Sequence, residues 1–385
     1  MKANVLLITY LFILLTSCQE RKEHETIPTQ SLKHELLMGD EYFIKRIANM
    51  TLMNDSIIVL RSSKSEKLFQ ILNPSQKTVF EFGDIGQGPN DFLLPSSLSS
   101  EKDNSFSFYD LNKRRYSTIH LNHENDSWQV EHHFKSDSLI HISVMPVADN
   151  RYIATGMYPK HRFTLLDENG NLLKGFFEIP YRDEKERKVN EMVRAEAYQG
   201  KIAVSPSRKR LVQAMSKGDM IYFYNITGNG ELILLSEQVN SYPKYRYDNG
   251  AMHQESPIHY LDISVTEDYV YALYSGRNYK DDKDKAFQGN LLRVFDWNGK
   301  LVKEFHLDID VQAITTTKNN QRIYAVSYLP DPVLVAFEQY HEKNHPRNGC
   351  ILCIGSAWQG TLRNHEHDSP RRYTLRCSAL VGTSR

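Results

Sequence analysis

The sequence predicts an all-β fold, a six-bladed β-propeller of four-stranded antiparallel blades. Three observations carry this expectation. First, residues 292–305 read L-R-V-F-D-W-N-G-K-L-V-K-E-F, two apolar strands flanking Asp296-Trp297-Asn298-Gly299. Asn-Gly readily takes the positive-φ geometry of a tight hairpin turn. Second, the turn recurs. Residues 163–176 contain Asp167-Glu168-Asn169-Gly170 with the same flanks, and degenerate copies start at Asn73, Asp110, Asn225 and Glu338. These six turn entries are spaced 37 to 71 residues apart, and strand-rich repeats of about 40–50 residues mark propeller blades. The longer intervals leave room for insertions, or for a weak seventh repeat. Third, 22 Tyr and 17 Phe suit twisted sheets.

The totals narrow the function classes. The 385 residues carry 47 Lys+Arg against 47 Asp+Glu. Zero net charge argues against a nucleic-acid partner, which usually demands a basic excess. Cysteines occur at 18, 350, 353 and 377 only, so the repeats close without disulfides or cysteine-bound metal.

In chain order, residues 1–17 read as a signal peptide. Lys2 precedes an apolar core at 5–15 that is too short to span a bilayer. Leu15-Thr16-Ser17-Cys18 then has the form of a bacterial lipobox, with Cys18 as the lipidated residue. Residues 18–30 are polar and read as a flexible tether. The propeller is expected over 31–338. Strands at 42–51, 56–61, 67–72 and 77–82 form the first blade. The glycines of 83–92 lack the Lys-Ser/Thr of a phosphate loop, so this stretch reads as a tight interblade connection with Phe92 in the interface. Hairpins follow at 105–121 and 142–176.

Residues 181–198 are rich in Glu, Lys and Arg and favour helix, either as a solvated insertion or as a partner-docking element. Strands resume at 201–205, 211–215 and 220–224. A second insertion, 240–260, interleaves Tyr242, Tyr245, Tyr247 and Tyr260 with Lys244, Arg246, His253 and His259. Amphipathic rings beside hydrogen-bonding groups suit a polar ligand such as a glycan or peptide. Tyr242, Tyr245, Arg246, Tyr247, His253 and His259 are therefore the candidate binding residues, with Tyr245 and Tyr247 as stacking surfaces. The alternative is a connection whose tyrosines pack over a blade edge. Strands at 261–266, 269–275 and 291–305 form the fifth blade. Those at 311–317, 321–328 and 333–338 give only three strands of a sixth. An open blade edge is costly, so residues 31–37 are expected to close the ring beside 333–338.

The lipobox at Cys18, the stretch Gly86-Gln87-Gly88-Pro89-Asn90-Asp91-Phe92 and Tyr271-Ala272-Leu273-Tyr274-Ser275-Gly276-Arg277 together give a chain that resembles the TolB-like six-bladed β-propeller lipoproteins of Bacteroidota over roughly residues 15–338. The resemblance implies a propeller in the cell envelope, lipid-anchored, with the outer membrane as the expected site and either face open. It supplies no catalytic residues.

Residues 339–385 differ, with six Arg to one Lys and three of the four cysteines. Cys350, Cys353, His365, His367 and Cys377 match no familiar zinc spacing, so no metal site is expected. The tail reads as disordered, or as translated from a shifted or fused frame. No H-E-x-x-H, G-x-S-x-G or P-loop occurs. His132, His133, His253 and His259 remain the histidines that separate blades could bring to a channel. The expected function is non-enzymatic binding or scaffolding without a cofactor. The alternative is an envelope hydrolase or lyase acting on glycan or peptide at the channel.

Overall fold

A computed structural model describes residues 27–339, apart from 40–41, 43, 45–46, 63–65, 102–103, 123–126, 138 and 329–330. The signal peptide, Cys18, the tether up to residue 26 and the tail from residue 340, with its cysteines and histidines, lie outside the described residues.

Six blades follow one another along the chain at 47–84, 95–135, 141–176, 200–241, 260–311 and 313–338. Each is an antiparallel meander. The first strands, Ile47–Met53, Pro95–Ser100, His141–Ala148, Gly200–Val204, Tyr260–Val265 and Ala313–Thr316, touch one another in a closed ring around the axis. The long intervals hold insertions and no seventh blade.

Strand position decides burial. Middle strands are covered on both faces by neighbouring blades, so Ser105–Asp110 is buried at every residue and Asp219–Ile226 at all but one. Fourth strands face water, and Ser127–Lys135 and Leu232–Ser241 are largely exposed. This explains three strands that the sequence pattern did not reveal. Ser127–Lys135 and Leu232–Ser241 lack clean alternation because they form outer edges. Pro95–Ser100 (P-S-S-L-S-S) looks like a loop because it faces the axis. Between blades 1 and 2, Phe92 is 2% exposed and packs edge-on against Phe69 and Phe108 at 5.5 and 5.2 Å, which is the interface role expected of it.

The recurring turn joins the third and fourth strands of a blade and docks on the blade before. At Asp296 the carboxylate accepts from the backbone N–H groups of Asn298 and Lys300 at 2.9 and 2.8 Å. Asp167 repeats this with Asn169 and Asn171, and the Thr227 hydroxyl accepts from Glu231 N–H. Each turn carries a glycine at positive φ: Gly170, Gly230 and Gly299 at 78°, 80° and 85°. A Cβ on Gly170 would lie 2.4 Å from Phe134 of blade 2, and one on Gly299 would lie 2.1 Å from Ser236 of blade 4. The copy at Asp110 is out of phase with the others. It joins the second and third strands of blade 2, and its carboxylate accepts from Leu93 and Leu94 N–H, fixing the connection that enters the blade.

The ring is closed by the N-terminus, as expected, and by more of it than expected. His34–Met38 pairs antiparallel with Pro332–Glu338 as the fourth strand of blade 6. Immediately before it, Thr29–Leu32 runs parallel to Leu301–Val311 and gives blade 5 a fifth strand. Leu32 and Met38 are 3% and 0% exposed. The His34 N–H donates to Asp308 at 3.0 Å, and Arg322 pairs with both Glu35 and Glu338.

Register defines two faces. Ala148 opposes Arg151, Tyr152 opposes Leu166, and Leu166 opposes Leu172. The turns after first and third strands thus share an upper face. The turns after second strands and the interblade connections share the lower face. Among the described residues no helix is long and apolar enough to cross a membrane.

Two outcomes follow. Deleting residues 19–38 removes both latch strands; losing the Leu32 and Met38 side chains alone costs roughly 2–5 kcal/mol each, so denaturant unfolding should show a large loss of stability, while truncation after Gln339 should leave a cooperative transition. Separately, burial lowers the His141 pKa from 6.5 to about 4, and the ring is 1% exposed. The unfolded chain therefore binds a proton below pH ~6.5 that the folded chain refuses until pH ~4. Stability should fall by roughly 3 kcal/mol as pH drops through that window, and His141→Gln should flatten this part of the pH profile.

Candidate functional site

The first strands leave an axial cavity of about 1150 Å³ that opens on the upper face. All six blades contribute, among them Thr51, Ser99, Met145, Val204, Ser264 and Thr315. The first strands of blades 1, 2, 5 and 6 bring hydroxyls to this lining, Thr51, Ser99, Ser100, Ser264, Thr315 and Thr316, and apolar residues such as Met145 and Val204 lie between them. Ser264 Oγ accepts from Thr316 N–H at 3.0 Å across blades 5 and 6. Thr316 Oγ1 is buried in the same wall and has no protein hydrogen-bond partner.

The mouth is charged. Asp55, Asp149, Arg208 and Lys318 line it from the turns after the first strands. Glu101, directly after the first strand of blade 2, reaches past blade 3 to Arg208 of blade 4 at 3.1 Å. Glu101 also accepts from Ser107 Oγ at 2.9 Å, and Tyr116 Oη donates to Ser107 Oγ at 2.7 Å. Ser207 N–H is held by Glu267 of blade 5 at 3.0 Å, fixing the turn that presents Arg208.

An arm of the cavity runs outward between blades 2 and 3, past Tyr116, Thr118, His120, Glu131, His133 and Tyr152. Thr118 Oγ1 and His133 Nε2 lie 2.8 Å apart, and Glu131 lies 3.2 Å from His120 and 3.7 Å from His133. Burial, opposed by Glu131, lowers the His133 pKa. Neighbouring His132 points to the other side of the strand, bonding Ser117 Oγ at 2.8 Å and Pro89 O at 2.9 Å. Of the four histidines singled out, only His133 reaches the cavity. Glu101 and Arg208 carried no sequence signal. They lie far apart in the chain, in turns whose positions only blade counting would give.

The 240–260 segment is on the lower face, away from the mouth. There it joins the 181–198 insertion and the 275–288 loop in one cap over blades 3 to 5. Arg182 donates to Tyr247 Oη at 2.7 Å, Lys280 pairs with Glu255 at 2.6 Å, and Ile258 N–H donates to Arg277 O at 2.7 Å. The 181–198 insertion forms two short helices, Glu184–Arg187 and Glu191–Ala197, capped by Asp183 and Asn190. Its charged side is solvated, as a surface insertion would be, with residues 182–185, 187, 188 and 190–192 exposed; its other side is packed, with Glu186, Ala195, Ala197 and Tyr198 buried and Tyr198 Oη donating to Glu186 at 3.1 Å.

The candidate residues of the loop divide by burial. Tyr245 is 4% exposed and sits in the blade 3–4 core, 5.3 Å from Tyr247. That corrects the expectation of an exposed stacking ring, because its apolar faces are already covered by the chain. His259 is also buried, 3.1 Å from Tyr274 Oη. Tyr242 and Tyr247 pack partly against the same core. Arg246, paired with Asp248 at 2.9 Å, and His253 are exposed. Among the described residues no cluster of His, Cys, Asp or Glu is arranged to hold a metal ion.

A family model described as TolB-like 6-blade propeller-like matches residues 25–319. Among solved structures, a "Putative exported protein" of Bacteroides fragilis NCTC 9343 is 11% identical, with a TM-score of 0.53 over 82% of this chain and 99% of its own. That likeness shows the fold. The β-propeller domain of Cps50 (Swd1) from Myceliophteria thermophila aligns at 8% identity and a TM-score of 0.41, over 76% of this chain and 84% of its own. No protein of curated function matches the sequence.

Tyr245→Ala should cost roughly 3 kcal/mol of stability as a large-to-small core change. Arg246→Ala and His253→Ala should each stay within about 0.5 kcal/mol. Chemical denaturation of the three variants separates packing from surface residues.

Proposed function

The chain belongs to the TolB-like 6-blade propeller-like family, and on that premise we propose that it is a non-enzymatic binding propeller of the cell envelope, anchored through Cys18, that takes a polar glycan or peptide segment at the upper mouth. The axial cavity carries this reading. At about 1150 Å³ it is slightly larger than the usual ligand sites of about 300–1,000 Å³. Its hydroxyl-rich wall offers donors and acceptors to a ligand with many polar groups. The Glu101–Arg208 pair places both charge signs over the entrance, so that a ligand can exchange its own polar groups for either partner. Arg246, His253 and the exposed parts of Tyr242 and Tyr247 form a second surface on the lower face, suited to a protein partner. The exported Bacteroides protein of like fold, together with the lipobox, supports an envelope location.

Glycan and peptide arrays probed with the purified full chain test this. Binding without product release is expected. Charged hydrogen bonds are worth about 1.5–3 kcal/mol, so Arg208→Ala and Lys318→Ala should weaken binding about tenfold or more, while Arg246→Ala should not. Turnover of an arrayed ligand would replace binding by catalysis. Unchanged affinity in both mouth variants would remove the ligand from the channel.

A further inference from the structure

We propose that the upper rim of blades 3 to 5 rests on a lipid surface, an inference that depends on the lipid anchor at Cys18 proposed above. Five large apolar side chains stand exposed on this rim: Leu172 (49%), Leu173 (48%), Ile233 (55%), Leu234 (40%) and Leu235 (37%). They occupy the first positions of Leu172–Phe176 and the second to fourth of Leu232–Ser241. Both strands begin at the upper face, directly after the turns that dock on the preceding blade. Lys174 of blade 3 pairs with Glu231 of blade 4 at 2.8 Å, which brings the two strand starts side by side. These side chains belong to none of the buried interblade cores, and an exposed apolar cluster of this kind marks an interaction surface.

The direction of the chain identifies the occupant. Thr29 pairs with Glu304 and Leu32 with Leu307, in parallel. Leu301, where that outer strand of blade 5 begins, lies beside Phe295 just below the Asp296 turn. The latch therefore runs downward, and the chain enters it from the upper rim of blade 5 before passing to blade 6. Ile27, at this entry, is 42% exposed. Residues 19–26 separate Cys18 from Ile27. At about 3.5 Å per extended residue they reach no more than about 30 Å. A bilayer holding the acyl chains of Cys18 is thus kept near the rim that carries the apolar side chains. Their burial at the headgroup boundary adds to the anchor. The cap of insertions, on the opposite face, then points away from the bilayer.

Hydrogen–deuterium exchange on the full-length lipidated chain, reconstituted in phosphatidylethanolamine–phosphatidylglycerol vesicles, tests this against the Cys18→Ser chain in solution. Outermost strands carry unpaired edge amides that exchange fast. On vesicles, exchange over 172–176 and 232–236 should slow about tenfold, with no change over 244–256. The double variant Leu173→Asp, Leu234→Asp should still float with the vesicles and lose this slowing. A vesicle-bound chain with unchanged exchange at the rim, or with slowing at 244–256 instead, overturns the orientation and leaves the anchor standing. A full-length chain that does not float overturns both.

Discussion

In this ring no blade can bury its own faces, and every other feature depends on that constraint. The middle strands are apolar on both sides and become buried only when a neighbouring blade stacks on each. A break between any two blades would expose both faces of the core they share. The chain closes the ring by leaving blade 6 one strand short and supplying the missing strand from residues 34–38. Adding Thr29–Leu32 to blade 5 spreads the closure over two blades. Opening blade 6 therefore also requires stripping a strand from its neighbour. The same stitch fixes where the N-terminal segment enters the fold, at the upper rim of blade 5.

Stacking is made regular by the turns between third and fourth strands. In blades 3 to 5 an Asp or Thr side chain ties the turn to itself, and a glycine lets it approach the preceding blade. Phe134 is against Gly170, Val147 and Leu165 are against Gly230, and Phe223 is against Gly299. A side chain there would press into the neighbouring blade while forcing L-residue backbone into positive φ. These turns secure the outer radius, and the polar first strands form the inner one. The axial wall mixes Ser and Thr hydroxyls with apolar residues such as Met145 and Ile263, under a mouth bridged by Glu101 and Arg208.

The insertions are placed with the same economy of position. All three long ones arise on the lower face of blades 3 to 5, where they pack into one another and onto the blade 3–4 core. The upper mouth keeps only short turns and stays open. The lower face is covered by a cap in which Tyr198 and Tyr245 serve as packing.

The sequence alone determined the architecture and its closure. The Asn-Gly turns, the alternation of the middle strands and the three-stranded last repeat are local patterns, and local patterns survive in a linear reading. Six blades, the interface role of Phe92 and the latch could all be read from them. The outer-edge and axial strands could not, because Leu232–Ser241 meets water on much of its surface and Pro95–Ser100 meets the channel, and neither environment imposes apolar alternation. The candidate site was the least legible part. Tyr245 and Arg246 are adjacent in the chain, yet one is buried in a core and the other lies in solvent. Glu101 and Arg208 are 107 residues apart and 3.1 Å apart in space. Burial and proximity of this kind are set by how whole blades stack, and that is decided only when the ring closes.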